Sequence, residues 1–302
     1  MKIKFNTFAG YMVIYNPKDW WKLILGFQKS DTFRIMLPGI MGMATYAFLV
    51  VYTEKELLHL EYKNTTSIHS LVGFVLSLLL VFRTNTAYDR WWEGRKLWGS
   101  FVNNSRNLAI KLSVLIDDKD TKEMFKVLIC NYIVAVKEHL REGVIIDNLK
   151  PAGKYKVEVF VQFTHIPNRI MQIVYSEINQ LHVSGKISGE QLLFLNNELQ
   201  SFSDNTGACE RIKKTPIPYS YNIFLKKIIF VYIASMPFGF AMEFGYWTSL
   251  MVPLLFYVFG SIELIAEEIE DPFGLDDNDL PTDMITSTIV ANLEEIFATG
   301  KV

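Results

Sequence analysis

The stretch SIHSLVGFVLSLLLVF, which runs from Ser67 to Phe82, decides the fold class of this chain. It contains no Asp, Glu, Lys or Arg, and the sequence turns polar directly after it, at Arg83. A transmembrane helix needs about 20 apolar residues to cross about 30 Å of hydrocarbon, so the stretch is short for a span that stands alone. Apolar side chains recur at helical spacing, without proline, as far as Leu115. We therefore expect one long helix that starts in a membrane and continues beyond it.

Apolar residues cluster in the same way in three other parts of the chain. Together with the first stretch they predict membrane spans at about 35–52, 67–82, 223–242 and 246–262. The last two spans are separated by a connector too short to be more than a tight turn, so we expect them to form a helical hairpin. The sequence thus predicts an all-α integral membrane protein with four transmembrane helices, a large cytosolic helical region over about 83–222 and a C-terminal tail over 263–302.

Helix-start signals mark the cytosolic region. Asp120 with Glu123, and Ser188 with Gln191, have the spacing of a capping box, in which two side chains satisfy free amides at a helix N-terminus. No strand-like alternation with hairpin turns appears between these signals, which favours an entirely helical region.

The distribution of Lys and Arg predicts the orientation in the membrane. The cations that flank spans on one side are Lys22, Lys29, Arg34, Arg83, Arg90, Arg95, Lys213 and Lys214. The opposite loops contain only Lys55 and Lys63. Because positively charged loops stay in the cytosol, we expect a multi-pass protein of the cell (inner) membrane with both termini cytosolic. The segment Met1–Gly10 lacks the pattern of a cleaved signal peptide.

The composition of the chain argues against several functional classes. A net charge of −2 over 302 residues gives no reason to expect a nucleic-acid partner. The five histidines are scattered, and catalytic-triad, Walker and dinucleotide signatures are missing, so we expect no enzyme activity. Cys130 and Cys209 are expected to be buried as small apolar residues.

Three acidic residues at the end of the last span, Glu263, Glu267 and Glu270, recur at helical spacing. They are expected to be solvated acids or partners of basic residues, namely Arg90 and Arg95.

Phe74, Leu78 and Phe82 form one stripe along the second span, since they are spaced four residues apart. Any apolar membrane helix contains such a triplet, so spacing alone is compatible with ordinary packing or contact with lipid. The alternative is a set of stacked hydrophobic rings in an oligomer, which would gate permeation by excluding water.

Three motifs, in order along nearly the whole chain, carry a resemblance to a known family. The first follows the second span and includes Arg83, Asn85, Tyr88, Arg90, Trp91 and Trp92. The second is Cys209-Glu210-Arg211-Ile212 followed by Thr215-Pro216-Ile217-Pro218, and the third is Ile269-Glu270-Asp271-Pro272-Phe273-Gly274 followed by an acidic run and Leu280-Pro281. Together they resemble the bestrophin family of ion channels, in particular its shorter prokaryotic branch. The resemblance treats 1–302 as a single bestrophin-like unit.

The resemblance implies a homopentamer around one central pore, embedded in the lipid bilayer and conducting small inorganic ions. Its narrow neck would be lined by Phe74, Leu78 and Phe82. A second, cytosolic constriction is expected within 187–195, where five copies of Glu190 would favour cations.

The sign of the permeant ion is not specified by apolar rings. Resemblance to the prokaryotic branch favours monovalent cations, and a chloride or anion channel of the same fold is the alternative. A secondary transporter and a membrane scaffold are remoter alternatives, the former because the spans show neither repeats nor mid-span charges.

The acidic run after Pro272 resembles part of a calcium-binding cluster of eukaryotic bestrophins. Asp276 and Asp279 match acidic positions of that cluster, whereas Leu275 replaces an acidic one. The run does not have the ligand pattern of an EF-hand loop. We therefore expect no cofactor, with Ca²⁺ at Asp276 and Asp279 as the alternative.

Overall fold

The computed structural model describes residues 31–59 and 66–298. Met1–Gly10 and the predicted cytosolic or loop cations Lys22, Lys29 and Lys63 lie outside the described residues, as do residues 299–302 of the tail. The helices are, in chain order, α1 (Asp31–Tyr52), α2 (Thr66–Leu115), α3 (Lys119–His139), α4 (Glu158–Val161), α5 (Ile166–Val183), α6 (Gly189–Lys214), α7 (Tyr219–Phe244), α8 (Thr248–Glu270) and α9 (Thr282–Ala298). The described residues contain no β-strand beyond a single bridge between Ala152 and Tyr155.

In the part of the chain that the structure describes, three helical runs are long and apolar enough to cross a membrane: Thr32–Leu57, Ser67–Leu115 and Tyr219–Glu270. The first continues from α1 into a π-helical turn, and the third comprises α7 and α8, joined by the 3-10 turn Gly245–Trp247. The second is the uninterrupted helix that the spacing after Ser67 predicts. The four spans at 35–52, 67–82, 223–242 and 246–262 all fall within these runs, and their crossing of a membrane stays a prediction.

One compact unit consists of the described residues of 31–90 and of 216–270, which are α1, the first half of α2, α7 and α8. Its core contains Met43, Ala47, Leu76, Leu80, Ile233 and Val252. Large apolar side chains on the outer faces of these helices are exposed in the single chain. Such an inside-out distribution is expected of helices that face lipid or a neighbouring subunit rather than water.

The other compact unit consists of 91–215 and the described residues of 271–302, which are the second half of α2, helices α3 to α6, and α9. Its core is rich in fully buried aromatic residues, including Trp98, Phe101, Phe125, Tyr132 and Phe202. The unit therefore has an aromatic-rich core of its own.

Two helix starts in this second unit test the predicted capping boxes. Ser188 and Gln191 form the full capping box at the start of α6, so that prediction is confirmed. The start of α3 was predicted two residues too late. Its cap is Asp118, whose carboxylate accepts the Thr121 amide, rather than Asp120. Several polar residues precede α3, and only backbone geometry selects the one that caps it.

Candidate pore helix and its buried anchor

Helix α2 has two contrasting faces along its apolar half. Phe74, Leu78 and Phe82 are 64%, 44% and 61% exposed in the single chain. Leu76 and Leu80 are buried against the neighbouring helices of their unit. At 3.6 residues per turn these buried positions lie on the side of the helix opposite the stripe. The predicted neck residues thus share the exposed face of α2.

Gly73 lets the buried side of α2 approach α7 closely. A Cβ atom added at Gly73 would overlap the hydroxyl of Tyr232. That hydroxyl donates a hydrogen bond of 3.2 Å to the His69 carbonyl, also on α2. A further hydroxyl on α7, that of Tyr221, donates to the Leu79 carbonyl at 3.3 Å. These contacts fix which side of α2 faces its own subunit.

Arg83 comes directly after the stripe, and it is the main anchor of α2. Its guanidinium is 1% exposed and lies between two acidic side chains of α8. Nη2 donates to Oε2 of Glu270 at 2.7 Å, and Nε lies 3.7 Å from Oε2 of Glu263. Burial of two carboxylates is costly without a cation, so Arg83 neutralises charge that would otherwise destabilise the unit.

Glu270, the last residue of α8, accepts two further hydrogen bonds close to its contact with Arg83. Its Oε1 accepts the amide of Ile217 at 2.6 Å, just before α7 begins. Its backbone carbonyl accepts Nε of Arg90, two turns along α2 from Arg83, at 3.0 Å. Glu270 therefore joins α2, α8 and the start of α7 at one position.

The expected partners of the three glutamates need a correction. Glu263 and Glu270 were expected to be solvated or to pair with Arg90 and Arg95, but they are buried and their guanidinium partner is Arg83. Arg90 donates from Nε to the backbone carbonyl of Glu270. Within 31–59 and 66–298, Arg95 pairs with none of the three acids, and Glu267 pairs instead with Lys226.

The remaining motif residues after Arg83 differ in environment. Asn85, Tyr88 and Trp92 are exposed on α2. Trp91 is half-buried, and its Nε1 donates to the carbonyl of Asn278 at 3.0 Å. The motif thus combines an anchor to α8, an anchor to the acidic loop after Pro272, and exposed side chains.

The acidic loop after Pro272 contains the two candidate calcium ligands, Asp276 and Asp279. One of them forms a hydrogen bond with the backbone of the loop. Asp279 is buried, and its Oδ2 accepts the amide of Asp276 at 2.7 Å. In return the amide of Asp279 donates to the carbonyl of Asp276 at 3.0 Å. The side chain of Asp276 is exposed. The carboxylate of Asp279 thus shapes the turn itself, and calcium binding stays a prediction.

Glu190, the candidate for a cytosolic constriction, lies in the first turn of α6 and is exposed. The hydroxyl of Ser188 donates to its Oε2 at 2.7 Å. This hydrogen bond lowers the pKa of the Glu190 carboxyl, so the group is ionised at neutral pH.

The predicted burial of the cysteines holds for Cys209, which is inaccessible to solvent, and burial raises the pKa of its thiol to about 12. Cys130 is only partly buried.

Comparison with known proteins supports the resemblance. The family described as Bacterial/Fungal Bestrophin protein matches residues 12–295. The voltage-dependent anion channel-forming protein alr2987 of Nostoc sp. is 38% identical over 74% of this chain and 75% of its own length. The voltage-dependent anion channel-forming protein YneE of Escherichia coli (strain K12) is 31% identical over 93% of both chains.

A crystal structure of a bacterial bestrophin homologue from Klebsiella pneumoniae has the same fold, with a TM-score of 0.79 and 26% identity. The superposition covers 86% of this chain and 98% of that one. The long pore-helix candidate, its motif and the full-length similarity agree. This chain therefore belongs to the bacterial/fungal bestrophin family.

Proposed function

We propose that this chain assembles as a homopentameric ion channel whose neck is formed by five copies of Phe74, Leu78 and Phe82. The observation that carries the proposal is the two-faced character of α2. Its inner face is anchored by Arg83, while the apolar side chains of the stripe on the opposite face are 44–64% exposed among the residues that the structure describes. Five such stripes around an axis would form successive apolar rings, which close a pore by dewetting.

The relatives' names bear on which ion passes. Both curated relatives described above are called anion channel-forming proteins. The preference for cations that the resemblance suggested is not supported by these names, and a channel for small monovalent anions fits them better. We therefore propose anions as the principal permeant ions, with passive conduction and no enzyme activity.

Monovalent cations remain the second candidate because of one feature, the exposed and ionised carboxylate of Glu190. If five copies faced the axis, they would concentrate cations in the pore.

In either case we propose an inner-membrane location with both termini in the cytosol, since the cation-rich flanks of the spans support that orientation.

The neck is tested by single-channel recording of the purified protein in planar bilayers. The triple variant Phe74→Ala, Leu78→Ala, Phe82→Ala should raise unitary conductance, because smaller rings widen and wet the constriction. The matched control removes two phenylalanines and one leucine that are similarly exposed on α7 and α8: Phe230→Ala, Phe238→Ala, Leu254→Ala. Light scattering of each variant in detergent gives the subunit number.

The neck proposal fails if the correctly assembled triple variant conducts as the wild type does, or if the control changes conductance equally. Saturable flux without single-channel steps would indicate a transporter. A silent bilayer would indicate a scaffold.

Ion sign is measured separately, from the reversal potential under a KCl gradient. Anion and cation selectivity give reversal potentials of opposite sign. A cation-selective wild type that loses selectivity in Glu190→Gln would replace the anion proposal with the second candidate. An anion-selective wild type that is unaffected by Glu190→Gln would exclude a ring of Glu190 carboxylates at the constriction.

A further inference from the structure

Three side chains that are far apart in sequence meet in the unit that contains α3, α5 and α6. His139 is the last residue of α3, His165 caps the start of α5, and Glu210 lies near the end of α6. Nε2 of His139 lies 2.8 Å from Oε1 of Glu210, and Nε2 of His165 lies 2.7 Å from the same oxygen. The two imidazole rings are 4.6 Å apart between centroids. Two nitrogens and one oxygen thus converge on one small volume.

The surroundings of this cluster combine burial with access. The side chains of His139 and Glu210 are each about four-fifths buried, and that of His165 is 30% exposed. A cavity of about 360 Å³ opens beside His165 and is also lined by Asn168 and Arg169. Small solutes can therefore reach one side of the cluster.

Two positive charges lie near the cluster and act against a cation there. Lys214 contacts Oε2 of Glu210 at 3.3 Å, but its side chain is largely exposed and free to turn away. Arg169 is held over the ring of Phe163, and its Nη1 donates to Gln172 at 2.8 Å. Neither cation occupies the volume between the two imidazoles and the carboxylate oxygen that they share.

We propose that His139, His165 and Glu210 bind a divalent transition-metal ion of the zinc type. Two imidazole nitrogens and one carboxylate oxygen form an established set of three zinc ligands, which leaves a fourth position for water. Here that position would face the cavity beside His165. The three ligand atoms already lie within 4.8 Å of one another.

The required movement is small. Tetrahedral ligands bound at about 2.0–2.1 Å from zinc are about 3.3 Å apart. Each Nε2 would therefore move about half an ångström away from Oε1, and the two Nε2 atoms, which lie within 4.8 Å of each other, would also end about 3.3 Å apart. Rotamer adjustments at the end of α3 and in the segment before α5 are enough for such a shift.

Metal binding also changes which imidazole nitrogens of the two histidines carry a proton. The amide of Asn168 donates to Nδ1 of His165 at 3.2 Å, so in the metal-free protein the proton of this ring is on Nε2, where it faces Glu210. Metal binding needs the lone pair of Nε2. Both Nε2 atoms donate to Oε1 of Glu210, so each ring must release its Nε2 proton to solvent and take up a proton at Nδ1. The two hydrogen bonds to Glu210 are then lost together with the one from Asn168, and bonds from the metal ion to the two nitrogens and the oxygen replace them. The long, weak geometry of the bond from Asn168 limits the cost of losing it.

This site does not depend on the proposed channel function. It would join the C-terminus of α3, the segment before α5 and α6 within one unit, so metal binding should stabilise that unit. The histidines are scattered in the sequence. The contact of His139 and His165 with Glu210 could not be inferred from it, because they are 71 and 45 residues away from Glu210.

The test uses the full-length, tag-free protein, stripped with EDTA and titrated with ZnCl₂ by calorimetry and with CoCl₂ by visible absorption. We expect one metal ion per chain, cobalt d–d bands, and a melting temperature that zinc raises. Glu210→Gln and His139→Gln should each weaken binding about tenfold or more, since even the outer partners of metal ligands contribute that much. The control, His182→Ala, removes a histidine of the same unit outside the cluster and should leave the affinity unchanged.

Circular dichroism of each metal-free variant shows whether it is folded, and two ligand variants are used so that one folded variant suffices. The proposal is overturned if the stripped wild type binds neither metal. It is equally overturned if a folded Glu210→Gln or His139→Gln protein retains wild-type affinity, or if His182→Ala abolishes binding.

Discussion

The buried arginine anchor gives a prediction whose size follows from its environment. Arg83 is 1% exposed, and its partners Glu263 and Glu270 are 5% and 6% exposed. Arg83→Met leaves two carboxylates buried without a cation. Breaking a buried ion pair by removing one partner costs about 3–5 kcal/mol, because the remaining charge is uncompensated. We expect the free energy of unfolding to fall by that amount.

Two further variants separate charge from packing. Replacing Glu263 and Glu270 by Gln in the Arg83→Met background removes every buried charge of the cluster, so most of the loss should be regained. The matched control is Lys226→Met, which breaks another ion pair to α8. Lys226 lies 2.8 Å from Glu267, but both side chains are about half exposed, so this pair is worth at most about 1 kcal/mol.

Unfolding is followed by tryptophan fluorescence of the detergent-solubilised protein during titration with SDS. Equal losses in Arg83→Met and Lys226→Met would show that burial does not set the strength of the anchor. If the triple variant were no more stable than Arg83→Met, the cost would come from lost packing and not from unpaired charge.

Three other variants test single features of the fold. Gly73→Ala should destabilise the protein by about 1–3 kcal/mol, because its methyl group displaces the hydroxyl of Tyr232. Gly245→Ala should cost about 1–3 kcal/mol in thermal melts, because φ is +56° at this position between α7 and α8. Asp283→Asn should lose about 2 kcal/mol at neutral pH in urea titrations. Burial acts to raise the pKa of Asp283, but hydrogen bonds, including those from Arg141, hold it below its usual value. A lowered folded pKa means stability that is present above the unfolded value of about 3.9 and is lost as the pH falls through the folded one.

Each of these variants has its own check. Gly73→Ala combined with Tyr232→Phe should recover part of the loss, and an additive double variant would contradict the overlap. Gly42→Ala is the reference for Gly245→Ala, since Gly42 is helical with open space around its Cβ position and alanine should stabilise it. A stability difference between wild type and Asp283→Asn that stayed constant down to acidic pH would contradict the lowered pKa.

Local patterns in the sequence were sufficient for the helices and the family. The long charge-free runs, the uninterrupted helix after Ser67 and the capping box of Ser188 with Gln191 all depend on residues close together in the chain. Apolar length and side-chain to backbone hydrogen bonds within one turn determine such features, so they are visible without tertiary structure. The four-residue spacing of Phe74, Leu78 and Phe82 predicted that they share one face of the helix. Spacing alone did not show whether that face is exposed or packed against its own subunit.

Long-range polar contacts were beyond the sequence. Glu270 lies 187 residues after Arg83, and nothing in the helical spacing of the α8 glutamates distinguishes Arg83 from Arg90 or Arg95 as their partner. The buried state of these acids depends on how α8 packs against α2. For the same reason the partners of isolated histidines such as His139 could not be inferred. A contact between two side chains can be inferred from sequence spacing only when both residues lie within a turn or two of the same helix.

The attachment of both Arg83 and Arg90 to Glu270 restricts how α2 can move. A helix that slides by one turn travels about 5.4 Å along its axis, which would carry both guanidinium groups out of hydrogen-bonding range of Glu270 at once. Axial sliding relative to α8 would therefore require both contacts with Glu270 to break together. If the neck proposed at Phe74 and Phe82 opens and closes, the movement would have to come from rotation of these side chains or from bending of α2 before Arg83. From Arg83 onward, α2 would keep its position along α8.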